Sequence, residues 1–240
     1  MFIYDPLLSQ SMTTIVGLTS SGPKAIILAS DECNTTSFIL KQKGGETQEQ
    51  YRTECKKIVI SEKNLFAAAA CGVNDPALKE FMYRLANSDS QLNYTLLSKR
   101  FDALLELNGN RWDWKVPDSD NANSMLVASR FNNTPALYTC FPLGCVEPRD
   151  YTAIGSGSPY ALQFISDNKP PRAINLDEAI ELAIGSIEVA HKDPHTNGLD
   201  IVVVGPARII PYGHVITQEV QKAKNEFTRK IKELARQDHA

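Results

Sequence analysis

The sequence predicts an α+β fold in which two β-sheets stack on each other and helices cover both outer faces. The predicted elements run in the order strands, two helices, strands, two helices, strands, so helices and strands are segregated along the chain. The strands are short and rich in β-branched residues, and the helices carry one apolar face each. Neither an internal repeat nor a linker interrupts the pattern. We therefore expect one domain.

Composition narrows the class of protein. With 240 residues, 42% hydrophobic and 22% charged, the chain is typical of a soluble globular protein. Its net charge of -3 provides no basic field for nucleic acid or for a membrane surface. The apolar runs are shorter than the roughly 20 residues of a membrane span, and the first residues lack the pattern of a secretory signal. We expect a cytoplasmic protein.

The cysteines indicate neither a disulfide framework nor a zinc site. Their number, five, is odd, and no C-x-x-C pair occurs. We expect reduced thiols.

The first half of the chain begins with a segment, 1–12, that has no clear period and is interpreted as a frayed terminus or a short propeptide. A β-branched run over 13–19 and a buried run over 24–30 predict a hairpin around the turn at 20–23. That hairpin returns Asp31 to the neighbourhood of Thr13. Residues 32–54 are polar and rich in turn formers, which predicts an exposed excursion.

The remaining elements follow from the same patterns. Asp75 and Pro76 are typical of a helix start. Helices are predicted over 76–87, 94–107, 159–165 and 176–191, with a charged helix from Thr217. Strands are predicted over 55–60, 64–72, 125–131, 136–141, 151–154 and 199–204, with an edge strand at 208–216.

A threonine at the head of a strand suggests one specific chemistry. A threonine hydroxyl is a weak nucleophile at neutral pH and needs a base. If Thr13 were the first residue, its own α-amine, with a pKa of about 8, would be that base. A lysine ammonium such as Lys57 favours loss of the proton, and a carboxylate such as Asp31 holds the lysine. Each residue also has a structural interpretation: Asp31 as a turn cap and Lys57 as a partner of Glu54.

Five ordered motifs then indicate a family. They are T-T-I-V-G-L at 13–18, A-S-D at 29–31, K-K-I at 56–58, G-S-G-S-P-Y at 155–160 and D-P-H-T-N-G at 193–198. In this order they resemble the proteasome β-subunit family, and the first is also similar to the bacterial HslV-type peptidase. The resemblance implies a four-layer αββα sandwich of the N-terminal nucleophile hydrolase type. Residues 13–240 would be the peptidase domain, and 1–12 a propeptide or mis-annotated leader.

The resemblance also implies site residues. Thr13 would be the nucleophile and Asp31 and Lys57 its charge pair. Ser156 would contact the threonine amine, and Asp193 and Thr196 would complete the hydrogen bonds around it. Structural interpretations remain open for Ser156, in a Gly-rich turn, and for Asp193, as a loop cap. The substrate-binding positions implied are Thr35, Val59, Ala69, Cys71, Gly72 and Val73, with the oxyanion-hole glycine of the family falling on Cys71 or on Gly72.

Departures from the family pattern concern processing and the cleft. Met12 stands where the family has glycine before the processed threonine. Either self-cleavage is slow or absent, or Met12 is the true start and an aminopeptidase removes it. The segment between Asp31 and Lys57 is longer than in the family, and Cys33 replaces a common arginine.

The function implied by the resemblance is a threonine endopeptidase that hydrolyses peptides or unfolded polypeptides inside a homo-oligomeric ring. An α-type ring or an ATPase would be a further partner. No cofactor, metal, nucleic acid or membrane is expected. The alternatives are a non-catalytic ring or scaffold subunit and a stand-alone amidase or transpeptidase. A metal at His191 and His195, or Cys71 as nucleophile, is a weaker interpretation, because neither has the partner residues its chemistry needs.

Overall fold

The computed structural model describes residues 4–5, 13–22, 24–31, 33–42, 45–54, 57–61, 66–71, 76–88, 92–108, 124–131, 134–141, 144–147, 150–170, 172–192 and 198–215. Within these ranges the elements are β1 (Tyr4–Asp5), β2 (Thr14–Thr19), β3 (Ile26–Ser30), β4 (Cys33–Gln42), β5 (Gly45–Glu54), β6 (Ile58–Ser61), β7 (Phe66–Cys71), α1 (Pro76–Ala86), α2 (Tyr94–Asn108), β8 (Ser124–Phe131), β9 (Thr134–Phe141), β10 (Gly144–Val146), β11 (Tyr151–Gly155), α3 (Ser158–Asn168), α4 (Leu176–Ala190), β12 (Leu199–Val204) and β13 (Ile209–Val215). The predicted helix from Thr217 lies outside the described residues.

Two five-stranded antiparallel sheets form the centre of the molecule. Sheet I has the strand order β11-β2-β3-β12-β13, and sheet II has the order β10-β9-β8-β7-β6. In sheet I, Ile15 lies opposite Ser30, so β2 and β3 are the two arms of the predicted hairpin. The prediction of β13 as an edge strand is confirmed.

Three buried clusters fix the order of the layers. Alternate residues of a strand point to opposite faces, and both faces of sheet I are buried. Val16, Ile27 and Val203 pack against the helices α3 and α4, whereas their neighbours Ile15 and Val202 pack against sheet II. The outer face of sheet II packs on α1 and α2 through residues that include Phe66, Val127, Phe81, Leu97 and Phe101. The four-layer αββα sandwich is confirmed.

Local signals explain where some of the helices begin. Helix α1 starts at Pro76, whose fixed φ suits the first helical position. Helix α4 starts with a capping box, because the Asn175 side chain accepts from the Glu178 N–H while the Glu178 carboxylate accepts from the Asn175 N–H. The buried face of α4 then closes the outer side of sheet I.

Residues 32–54, predicted to be an exposed excursion rich in turns, contain two long paired strands instead. Strands β4 and β5 pair along ten residues each, from Cys33 opposite Glu54 to Gln42 opposite Gly45. Strand β1 adds to the outer side of β4. The polar composition misled the prediction, because an antiparallel ladder is held by backbone hydrogen bonds and needs no apolar face. Strand β10, over Gly144–Val146, is a further strand that the sequence did not predict.

Candidate active site

The buried carboxylate of Asp31 accepts hydrogen bonds from two different segments at the end of the sandwich where β2 begins. The Thr14 N–H donates to Asp31 Oδ1 at 2.6 Å, and Lys57 Nζ donates to Asp31 Oδ2 at 2.9 Å. The exposed fractions of the Asp31 and Lys57 side chains are 0% and 5%. Hydrogen bonds to an ionised group in such a setting are short and strong. The Lys57 side chain is therefore held in the interior by Asp31 rather than standing at the surface.

The fold explains why these residues meet. Since Ile15 lies opposite Ser30, the next residue along β3 reaches the first residue of β2. The Asp31 N–H accordingly donates to the Thr14 carbonyl at 3.0 Å. Lys57 comes from the other sheet, one residue before β6 begins. The ion pair therefore joins sheet I to sheet II at one end of the space between them.

Both threonines at the start of β2 are buried, with exposed fractions of 1% for Thr13 and 0% for Thr14. Thr14 shares a face with Val16, which packs on the α3–α4 side. By the same alternation we expect Thr13 on the face of Ile15, which points between the sheets. Thr13 and Lys57 are thus brought to the same end of the inter-sheet space.

A tight turn from 155 to 157 covers the same strand end. Gly155 has φ +97°, and an added Cβ there would lie 1.7 Å from the Thr13 carbonyl oxygen. A Cβ at Gly157 would lie 2.1 Å from Thr14 Oγ1 and 3.0 Å from the Ala190 Cβ at the end of α4. A side chain is excluded at Gly155 by the Thr13 backbone and the positive φ, and at Gly157 by the Thr14 hydroxyl and the Ala190 methyl group.

Ser156 sits between those glycines, one residue beyond the pair that Gly155 forms with Thr14. Continuing this antiparallel register places residue 156 beside Thr13. Its Oγ is buried and has no hydrogen-bond partner among the described residues. A buried hydroxyl without a partner costs free energy, roughly 1–3 kcal/mol. Ser156 therefore places a buried hydroxyl, with no hydrogen-bond partner among the described residues, next to the start of β2.

Cys71 ends β7 and packs into the cluster between the sheets with Ile58 and Ala69. Burial raises the pKa of the Cys71 thiol to about 12, the Lys57 ammonium opposes this rise, and the Asp31 carboxylate adds to it. At neutral pH the thiol is protonated and thus a poor nucleophile. The interpretation of Cys71 as the nucleophile is not supported.

The remaining predicted site residues do not share one location in the fold. Ala69 lies in the inter-sheet cluster, whereas Val59 packs on the α1–α2 side of sheet II. Thr35 lies in β4, opposite Arg52. Gly72, Val73, Asp193 and Thr196 lie outside the described residues.

Of the two histidines considered as metal ligands, His191 and His195, the structure describes only His191. His191 Nε2 lies 3.2 Å from the Gly198 carbonyl, so that ring nitrogen is engaged by backbone. His195 is outside the described residues. In the part of the chain that the structure describes, no three His, Cys, Asp or Glu residues form a group that could hold a metal ion. The described helices include none long and apolar enough to cross a membrane.

Sequence reasoning missed two features of this site. The direct backbone partner of Asp31 is Thr14, and the Gly155 and Gly157 contacts limit what can surround the threonines. The paired threonines and the Gly-Ser-Gly spacing were the available signals. Neither signal gives a distance.

The four layers, with a threonine strand and a buried carboxylate–ammonium pair at one end, define a sandwich of the N-terminal nucleophile hydrolase type. Comparison with known proteins narrows this class. A family model described as "Proteasome subunit" matches residues 120–204. The chain is 27% identical to proteasome subunit beta 2 of Aeropyrum pernix over 224 residues, which is 88% of this chain and 92% of that protein.

Two further relatives agree. The proteasome subunit beta 1 of Pyrobaculum calidifontis is 28% identical over 199 residues, covering 80% of this chain and 90% of the relative. The proteasome subunit beta of Methanopyrus kandleri is 35% identical over 98 residues, and there the chain spans 46% of the relative's length and 40% of its own. The chain is thus similar to proteasome β subunits over most of its length.

Proposed function

We propose that this chain is a threonine endopeptidase in which Thr13, once it is the first residue, is the nucleophile. The observation that carries the proposal is the Asp31 carboxylate, which holds the Thr14 N–H at 2.6 Å and Lys57 Nζ at 2.9 Å. One group thereby fixes both the strand that carries Thr13 and the ammonium beside it. By family likeness we propose assembly into a ring, with peptides or unfolded polypeptides as substrates.

The chemistry divides among named groups. Thr13 Oγ attacks the scissile carbonyl while the free α-amine accepts its proton. The tetrahedral intermediate collapses to an ester as the C–N bond breaks, and the leaving amine takes a proton from the α-ammonium. Water then hydrolyses the ester, which releases the carboxylic acid and restores the Thr13 hydroxyl. Lys57 provides positive potential that favours the alkoxide, and Asp31 keeps that ammonium in place. Ser156 hydrogen-bonds the Thr13 amine, with Asp193 and Thr196 proposed as its further partners.

Release of Thr13 is the step that the proposal requires. In the chain as it stands, Thr13 is 1% exposed and follows Met12, so its nitrogen belongs to a peptide bond. Two routes supply the amine: self-cleavage between Met12 and Thr13, or removal of Met12 as an initiator residue. Both routes leave a chain that starts at Thr13, but only self-cleavage requires Thr13 Oγ. The N-terminus of Thr13→Ala therefore distinguishes them.

The test is an intact-mass measurement combined with labelling by a threonine-directed electrophile such as an epoxyketone. The expected result is a mature chain starting at Thr13, one label per chain, and peptide hydrolysis that is lost in Thr13→Ala. Thr13→Ser is the matched control, because it keeps a hydroxyl and should retain part of the activity. A purified chain that keeps residues 1–12, takes no label and cleaves no peptide would refute the proposal.

A second candidate is a non-catalytic subunit of the same kind of ring. Two observations favour it. Met12 replaces the glycine expected before a processed threonine. Tyr4 and Asp5, which precede Thr13, pair with Leu40 and Ile39 of β4. In that case Thr13→Ala would change neither the N-terminus nor the oligomeric mass measured by native mass spectrometry.

A further inference from the structure

Cys140 and Cys145 face each other across the hairpin formed by β9 and β10. They are directly opposite in register, and their sulfur atoms lie 2.8 Å apart. Exposed fractions are 0% for Cys140 and 6% for Cys145. Both are free thiols in this structure. The pair lies at the edge of sheet II, in a region that the proposed peptidase site does not use.

The backbone already has the geometry of a cross-strand disulfide. Opposite residues of an antiparallel pair have Cα atoms about 4.5–5.5 Å apart, inside the range of about 4.4–6.8 Å found for disulfides. A bonded S–S distance is about 2.05 Å, so the sulfurs must approach by less than about 1 Å. The Tyr94 hydroxyl donates to the Cys145 carbonyl at 2.8 Å, which holds β10 against α2 in this position.

We propose that Cys140 and Cys145 form a reversible oxidation site, closing to an intramolecular disulfide by exchange with a low-molecular-weight disulfide such as oxidised glutathione. Cys145, the more exposed thiol, loses its proton and attacks one glutathione sulfur, releasing one glutathione thiolate. Cys140 then loses its proton and attacks the Cys145 sulfur of the mixed disulfide, releasing the second. Two protein thiols are oxidised and one glutathione disulfide is reduced to two thiols.

Contact between the two thiols and burial both raise the pKa of Cys140. Because exchange proceeds through the thiolate, the second step is expected to be slow, and equilibration takes hours rather than seconds. Cys71 provides an internal comparison, since it is also buried but packs in the inter-sheet cluster, apart from this hairpin. It should remain a thiol under the same conditions.

The experiment equilibrates the folded, full-length protein in a series of glutathione redox buffers and counts thiols by alkylation after denaturation. The count should fall from the five cysteines of the sequence to three. The tryptic peptide 131–149, which contains both residues, should lose the mass of two hydrogen atoms and regain it after reduction. This readout needs no substitution, so it stands even if a cysteine variant folds poorly.

Matched variants locate the reaction. Cys71→Ser should still lose two thiols, whereas Cys140→Ser should form no internal bond and should accumulate a glutathione adduct on Cys145. Retention of all five thiols at the most oxidising ratio would overturn the proposal, as would a disulfide that maps to Cys33 and Cys55. The readout is independent of Thr13, so its failure would leave the proposed peptidase function untouched.

Discussion

Charged pairs of two kinds occur in the described chain, and they differ in burial. Asp31 and Lys57 are 0% and 5% exposed and join the two sheets beside the threonines. Glu80 and Arg84, one helical turn apart on α1, are 59% and 77% exposed. A buried ion is costly unless it is paired, whereas an exposed pair contributes about 0–1 kcal/mol. Losing one partner of the exposed pair should therefore cost little stability. Losing one partner of the buried pair should cost much more.

The difference teaches where function is to be sought. Replacing a buried ion pair by well-packed apolar groups often leaves stability unchanged or improves it. Stability alone therefore gives little reason for Asp31 and Lys57, whereas the role proposed for the ammonium beside Thr13 gives one. The surface pairs need no such explanation. Each prediction below tests this contrast, beginning with the largest expected effect.

Lys57→Met should have the largest effect, because it leaves the Asp31 carboxylate buried without its cation. We expect a loss of about 3–5 kcal/mol in the free energy of unfolding, measured with urea, together with loss of peptide hydrolysis. The double variant Asp31→Asn/Lys57→Met removes both charges, while the amide oxygen introduced at position 31 can still accept from the Thr14 N–H. It should recover most of the stability and none of the activity. Recovery of activity would show that the pair is only structural.

Gly155→Ala should be next in size, because it combines a positive φ with a Cβ 1.7 Å from the Thr13 carbonyl oxygen. Strain alone costs about 1–3 kcal/mol, and the clash should add displacement of the threonine strand and loss of hydrolysis. Gly144→Ala is the matched control for strain, since φ is +122° there but nothing lies within 4 Å of the added Cβ. Gly22→Ala, with open space and no such φ, controls for the substitution itself. Equal losses at Gly155 and Gly144 would contradict the role given to the contact with Thr13.

The burial of His191, at the end of α4, is intermediate between that of the buried Asp31–Lys57 pair and that of the exposed Glu80–Arg84 pair. Burial lowers its pKa from 6.5, although the Gly198 carbonyl and Glu188 oppose this. The unfolded chain thus binds the proton more tightly, so stability from this group is present above pH 6.5 and is lost as pH falls through the lower, folded pKa. His191→Gln, which does not titrate, should flatten the acid side of the stability–pH curve, measured as the free energy of unfolding between pH 4 and pH 8. An unchanged slope below pH 6.5 would refute this assignment.

Much of this fold could be predicted because local chemistry and packing agree. The β-branched run that starts at Thr13, the turn after it and the apolar run that ends before Asp31 all require the same hairpin, and it forms. The contact between Asp31 and Lys57 was expected from that hairpin together with the family resemblance. Patterns of this kind hold when a strand has one clear partner and buried faces.

The features that could not be predicted depend on strand register and on contacts between distant segments, which local sequence patterns do not specify. Which face Val59 occupies depends on where β6 begins, and a shift of one residue reverses the face. The β4–β5 hairpin was missed because its strands lack the apolar alternation that predicts strands. The close packing of Gly155 against Thr13 joins segments that are more than a hundred residues apart in the sequence. It therefore cannot be predicted from the local pattern of either segment.

Arg172→Ala should have the smallest effect, because the Arg172–Glu178 pair lies at the surface. The Arg172 guanidinium, followed by the Asn175 N–H, lowers the pKa of the Glu178 carboxyl below 4.5. This contribution is therefore present above pH 4.5, is lost as pH falls through the folded pKa, and is screened by salt. Arg172→Ala should shift the thermal midpoint by less than about 2 °C at neutral pH, and 1 M salt should remove the difference. Glu178→Gln is the control, since it keeps an acceptor for the Asn175 N–H but loses the charge. If Arg172→Ala destabilised the fold as much as Lys57→Met, burial would not distinguish the two kinds of pair, and the special position given to Asp31 and Lys57 would lose its physical basis.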